Sequence, residues 1–200
     1  MNPFLRYLAI AGLNLSIGLF CLPVQADTEI LFIRHGEKPW NGLGQLSCRG
    51  LNRSLALPRV LREHFGNPDM IIVPNPGHQK SDHGINFSYV RPLATVEPTA
   101  ILLGLPVNAT IGYEDVSGLN ALLENISATQ QAKIVLVAWE HHLAEAAVNK
   151  LARAHGNKQE IPKWEDDDFD SIYVLTLLSS GKAIFRLDHQ KLNNLPNTCP

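Results

Sequence analysis

The chain has 200 residues, of which 45% are hydrophobic and 18% charged, and its formal net charge is -2. That length supports one domain with a real core, and the composition excludes a disordered chain. The near-neutral balance offers no electrostatic basis for nucleic-acid binding, so none is expected.

Residues 1–26, MNPFLRYLAIAGLNLSIGLFCLPVQA, carry one charge at Arg6, then an apolar segment, then Val24-Gln25-Ala26. This is the pattern of a secretory signal cleaved after Ala26. An uncleaved anchor would need roughly 17 apolar residues, and this run barely reaches that with Asn14 and Ser16 inside it. Bulky Phe20 ahead of Cys21 argues against lipoprotein processing. Residues 27–200 are therefore expected to form a single periplasmic or secreted domain with no stable membrane association. Cys48 and Cys199 would remain, an even pair for which a disulfide and two free thiols are both open.

Along the mature chain, apolar β-rich runs alternate with segments of helical period, the pattern of a three-layer α/β/α sandwich around a mostly parallel sheet. Strands are predicted at 29–34, 69–73, about 107–111 and 133–138. A helix near 51–65 would turn Leu51, Leu55, Val60 and Leu61 to one side, with Pro58 kinking or dividing it. Residues 73–89 read as a substrate-facing loop. A helix-like stretch opened by Thr95 follows Arg91. Ser117 would cap a helix over 118–127, and Gly156 would end another running from His142 to His155. Residues 171–178 and 182–188, joined by Ser-Ser-Gly, form the expected C-terminal hairpin. The acidic run ahead of it, in IPKWEDDDFDS, reads as a solvated loop, with Trp164 as one wall of a cleft.

Two of these strands end in histidine. LFIRHGE leaves the core at Arg34 and His35, and IVLVAWEHH at His141 and His142. In open α/β sheets ligands bind beyond the carboxyl ends of strands, so neighbouring strands would aim both imidazoles into one crevice, with Arg91 joining from the segment between them. Guanidinium groups fork onto phosphate oxygens, and a histidine uncharged at neutral pH can attack phosphorus without a separate base. That combination points to phosphoryl transfer.

On Arg34-His35-Gly36, the GLGQLSCRGLNRS stretch at 42–54, RPLATVEPTA followed by LGLPV, and the strand-terminal WEH, the chain resembles the histidine phosphatase superfamily. The similarity spans about residues 28 to 188. It implies a phosphoglycerate mutase-like fold and hydrolysis of a small phosphomonoester through a phosphohistidine on His35, with no cofactor. Arg34, Arg91 and His141 would complete the phosphate pocket. His141, the first residue past the strand turn, matches the family's second histidine better than His142. Where many relatives have an aspartate after that histidine this chain has His142, so the proton donor stays open among Glu114, Asp115 and Glu140. Without an acid the protein would bind phosphate ligands with little turnover. A metal-dependent hydrolase built on His78, Asp82 and His83, with His141 and His142 adding imidazole, is the third reading, although their spacing fits no familiar zinc pattern. The sequence is silent on oligomeric state.

Overall fold

The computed structural model describes residues 26–200; the expected signal segment, except for Ala26, lies outside them. The elements in chain order are β1 (Thr28–Arg34), α1 (Cys48–His64), β2 (Met70–Pro74), β3 (Gln79–Asp82), β4 (Ile85–Ser88), α2 (Arg91–Leu103), β5 (Val107–Ile111), α3 (Val116–Thr129), β6 (Ile134–Trp139), α4 (His141–Ala154), β7 (Ser171–Leu177) and β8 (Ala183–His189). Six strands form one sheet in the order β5-β2-β6-β1-β7-β8. The β5-β2-β6-β1 pairings are parallel, and β7 and β8 extend the sheet as an antiparallel hairpin.

Alternation along the buried strands explains the three layers. Leu31, Ile33, Ile71, Val73, Leu136 and Ala138 face α1 and α2, meeting Leu57, Leu61, Val96 and Ala100. Ile30, Phe32, Ile72, Val135 and Val137 face the other way, onto Leu119, Leu123 and Ile126 of α3 and Ala144, Ala147, Val148 and Leu151 of α4. Each strand thus supplies both faces, as runs in a parallel sheet covered by helices must.

Several local expectations are corrected. α1 runs unbroken through Pro58. Its buried face is Gly50, Arg53, Ser54, Leu57, Val60 and Leu61, while Leu51 and Leu55 are exposed, because a 3.6-residue period starting from Gly50 leaves both on the outer side. α2 begins at Arg91 itself, with Thr95 already inside it. Asp115, not Ser117, caps α3, its carboxylate accepting from the Gly118 N–H at 2.8 Å. α4 begins one residue early, at His141, with Glu140 as its cap accepting from the Leu143 N–H at 2.9 Å. Residues 79–88, read as loop, form a separate two-stranded sheet. Trp164 is in the core, stacked on Tyr173 with ring centroids 4.1 Å apart, so it walls no cleft. Cys48 and Cys199 form a disulfide, with Cys48 as the first residue of α1.

Candidate active site

β1 and β6 are neighbours, and their register pairs Arg34 with Trp139. His35 therefore leaves the sheet beside Glu140 and His141, at one level of its carboxyl edge. Arg34, His35, Arg91 and His141 are all at least nine-tenths buried.

The loop that carries His35 is fixed from two sides. The Gly36 N–H donates to the Thr95 hydroxyl at 2.8 Å, and that hydroxyl donates to the Arg91 carbonyl at 2.8 Å. One threonine thus sets His35 and Arg91 in register. On the other side Gly36 passes the start of α1 so closely that a Cβ would lie 2.9 Å from the Gly50 carbonyl oxygen. Glu37 accepts both arms of the fully buried Arg53, at 3.0 and 2.8 Å, and Arg53 also reaches Asp170, Gln190 and Asn193. Glu37 is accordingly a structural partner, and the C-terminal tail is fastened to the loop that carries His35.

His35 Nδ1 lies 2.8 Å from the Gly36 carbonyl. A carbonyl only accepts, so the neutral ring carries its proton on Nδ1 and its lone pair on Nε2. Burial, with Arg91 the next largest cause and Arg34 and His141 adding to it, holds the imidazole well below the ordinary histidine range, against the opposing pull of that carbonyl.

Arg34 is clamped by backbone: one Nη donates to the carbonyls of Asp166 at 2.5 Å and Asp168 at 3.3 Å, and the guanidinium lies 3.9 Å over the Phe169 ring. Arg91 pairs with the Asp82 carboxylate at 2.5 Å, and Asp82 also accepts from Lys38 at 2.9 Å. These two cations hold Asp82 below its usual range although burial alone would raise it. His141 stands between carboxylates, with Glu140 2.9 Å from Nδ1 and Asp166 2.8 Å from Nε2. His142, half exposed, lies tilted against His141 with ring centroids 3.9 Å apart and reaches the same Asp166 oxygen at 3.0 Å.

What remains unpartnered is informative. Arg34 Nε, Arg91 Nε and the Tyr89 hydroxyl are buried without a hydrogen-bond partner among the described residues. Tyr89 packs edge-on against His35 at 5.9 Å, with Arg91 5.5 Å from its ring. Burial pushes its phenol well above the usual range, so it keeps its proton and can donate it in a hydrogen bond. Three buried donors on residues that neighbour His35 suit the binding of an anion. Tyr89 was not legible as a site residue, although its place two positions before Arg91 was a usable signal. Asp166 was hidden in the acidic run.

Of the three open carboxyls, Asp115 caps α3. Glu140 caps α4; burial would raise it, but His141 and the Leu143 N–H hold it down to about 2. Glu114 is exposed, bears no backbone cap and accepts from the Tyr113 hydroxyl at 2.8 Å. The proposed metal trio does not gather: Asp82 is buried against Arg91, and His83 is exposed at a turn with φ 52°. The His, Cys, Asp and Glu side chains that do cluster, among the described residues, are Glu140, His141 and His142.

No protein-family model and no curated protein matches the chain. Solved structures do. The protein histidine phosphatase SixA, complexed with tungstate, is similar at a TM-score of 0.59 and 18% identity, covering 82% of this chain and 97% of that one. Mycobacterial glucosyl-3-phosphoglycerate phosphatase follows at 0.55 and 13%, covering 86% and 100%. Phosphoglycerate mutase from Plasmodium falciparum gives 0.54 and 13%, covering 86% and 95%. The chain shares the phosphoglycerate mutase-like fold of these structures.

Proposed function

We propose that the protein is an exported phosphomonoesterase that works through a phosphohistidine on His35. The observation that carries this is the buried imidazole itself, with Nδ1 tied to Gly36, its pKa depressed, and unpartnered buried donors on the neighbouring Arg34, Arg91 and Tyr89. His35 Nε2 forms the bond to phosphorus as the bond to the leaving oxygen breaks. Arg34, Arg91, His141 and the Tyr89 hydroxyl balance charge on the equatorial oxygens. Glu114, the one carboxyl of the three without a capping role, supplies the proton to the leaving oxygen. Its carboxylate then takes a proton from the water that cleaves the phosphohistidine, releasing phosphate and the free imidazole. The fold shared with phosphatases supports the class, and the Cys48–Cys199 disulfide supports an oxidising destination. Among the described residues no helix is long and apolar enough to cross a membrane.

Rapid quenching with a radiolabelled phosphomonoester tests the reading. An acid-labile, base-stable protein adduct that His35→Ala abolishes is expected. Turnover without that adduct would overturn the phosphohistidine route, and loss of turnover on adding EDTA would move the chemistry to a metal.

A further inference from the structure

The β3–β4 hairpin stands apart from the central sheet and lies between β2 and the arginine that opens α2. Along β3 side chains alternate: Gln79 and Ser81 are exposed, whereas Lys80 is half-buried and Asp82 buried, so Lys80 and Asp82 share the inward face. Asp82 grips Arg91 and Lys38 there, under a loop so close that a Cβ on Gly42 would lie 2.3 Å from the carboxyl carbon. That contact fixes where the hairpin sits. It also fixes Lys80, one pleat further out.

The Lys80 ammonium is not paired with a carboxylate among the described residues. It lies 4.7 Å from the centre of the Tyr113 ring and 5.7 Å from that of Tyr89. Tyr89 in turn packs its edge against His35. A lysine with open access to water extends its ammonium into it; this one is held over two aromatic faces, one ring away from the nucleophile. The nearest acids are already engaged, Glu140 in capping α4 and contacting His141, Glu114 with the Tyr113 hydroxyl. The Tyr89 ring thus has Lys80 at 5.7 Å, Arg91 at 5.5 Å and His35 at 5.9 Å, and its hydroxyl has no partner among the described residues.

We infer that Lys80 is the post of a second anion subsite, and that the preferred substrate is a phosphomonoester carrying a further anionic group, carboxylate or phosphate, on its alcohol side. This rests on the phosphatase reading above. The phosphoryl group takes the inner donors, while the second anion meets Lys80 across the Tyr89 ring, where a ring-sized spacing separates the two charges. Lys80 acts on specificity and touches no reacting bond.

The test compares phenyl phosphate, 3-carboxyphenyl phosphate and 1,3-phenylene bisphosphate on the wild type, Lys80→Met and Lys80→Arg. The wild type is expected to favour the two doubly anionic esters about tenfold in kcat/KM, through KM. Lys80→Met removes that preference and leaves phenyl phosphate within about twofold, and Lys80→Arg keeps most of it. Which of the two anionic esters gains more identifies the second group. Equal losses on all three esters, or no change on any, would overturn the subsite. Calorimetry with phosphoglycolate against inorganic phosphate separates this from the catalytic reading. If no ester turns over, the phosphatase proposal fails, yet a preference for phosphoglycolate that vanishes in Lys80→Met sustains the subsite, and equal affinities sink it.

Discussion

His35 and His141 leave adjacent strands at the same level of the sheet, yet their surroundings are opposite in sign. His35 feels Arg34, Arg91 and His141 and meets one carbonyl at Nδ1. His141 has a carboxylate within 2.9 Å of each ring nitrogen. The same side chain in the same place is thereby given two different settings, one ring among cations and the other bracketed by carboxylates. The fold supplies the location, and the charges packed around each ring supply the role.

The sharpest way to break that contrast is His35→Ala, which is expected to remove both the phosphoenzyme and turnover while circular dichroism and melting stay near wild type. Retention of most activity would end the assignment. Next in size, His141→Ala and Arg91→Ala should each lower kcat by about 10²–10³, the usual cost of one fixed donor to a developing anion. Steady-state kinetics reads this, and an unchanged inhibition by inorganic phosphate in Arg91→Ala would show that this guanidinium points elsewhere. Glu114→Gln should slow alkyl phosphates by about tenfold or more and leave activated aryl phosphates nearly untouched, since only poor leaving groups need the proton. Asp166→Ala should tighten inhibition by inorganic phosphate by about threefold, because a solvent-exposed carboxylate on His141 and His142 is removed without losing the backbone carbonyl that holds Arg34.

The smallest effect is a titration. Because burial and the neighbouring cations depress His35, NMR of the free protein should find its ring still neutral at pH values where an ordinary histidine, near 6.5, has taken a proton. The unfolded chain gains that proton first. Stability linked to this residue is therefore full above about 6.5 and falls as pH drops toward the folded value. Titration of His35 at 6.5 or above would overturn this depression.

Much of this arrangement was legible because its signals are local and periodic. Leu31-Phe32-Ile33 and Val135-Leu136-Val137 can only be covered strands, and the charged residues that end them mark the sheet's functional edge. What escaped has no such periodicity. QKSD and INFS, the strands of the hairpin, are too polar and short to announce themselves. Asp166, Asp168 and Asp170 look like one solvated run, yet they do separate work: Asp166 meets two imidazoles, Asp168 accepts the N–H groups of Asp170 and Ser171, and Asp170 pairs with buried Arg53. Only the three-dimensional path of the loop distinguishes them. Leu51 and Leu55 misled for the complementary reason, since apolar character at helical spacing does not say which side meets the sheet.

Asp82 and Asp166 have a consequence for selectivity. Each is an anion that the chain itself carries to a donor a ligand would use, at an effective concentration no dilution lowers. Chloride or a simple carboxylate, with a single charge, gains almost nothing by contesting donors that these tethered anions already hold. On the phosphatase reading proposed above, a phosphoryl dianion displaces the exposed Asp166 while Asp82 keeps its grip on Arg91 and the hairpin, so the resting cleft would act as a threshold against abundant weak anions.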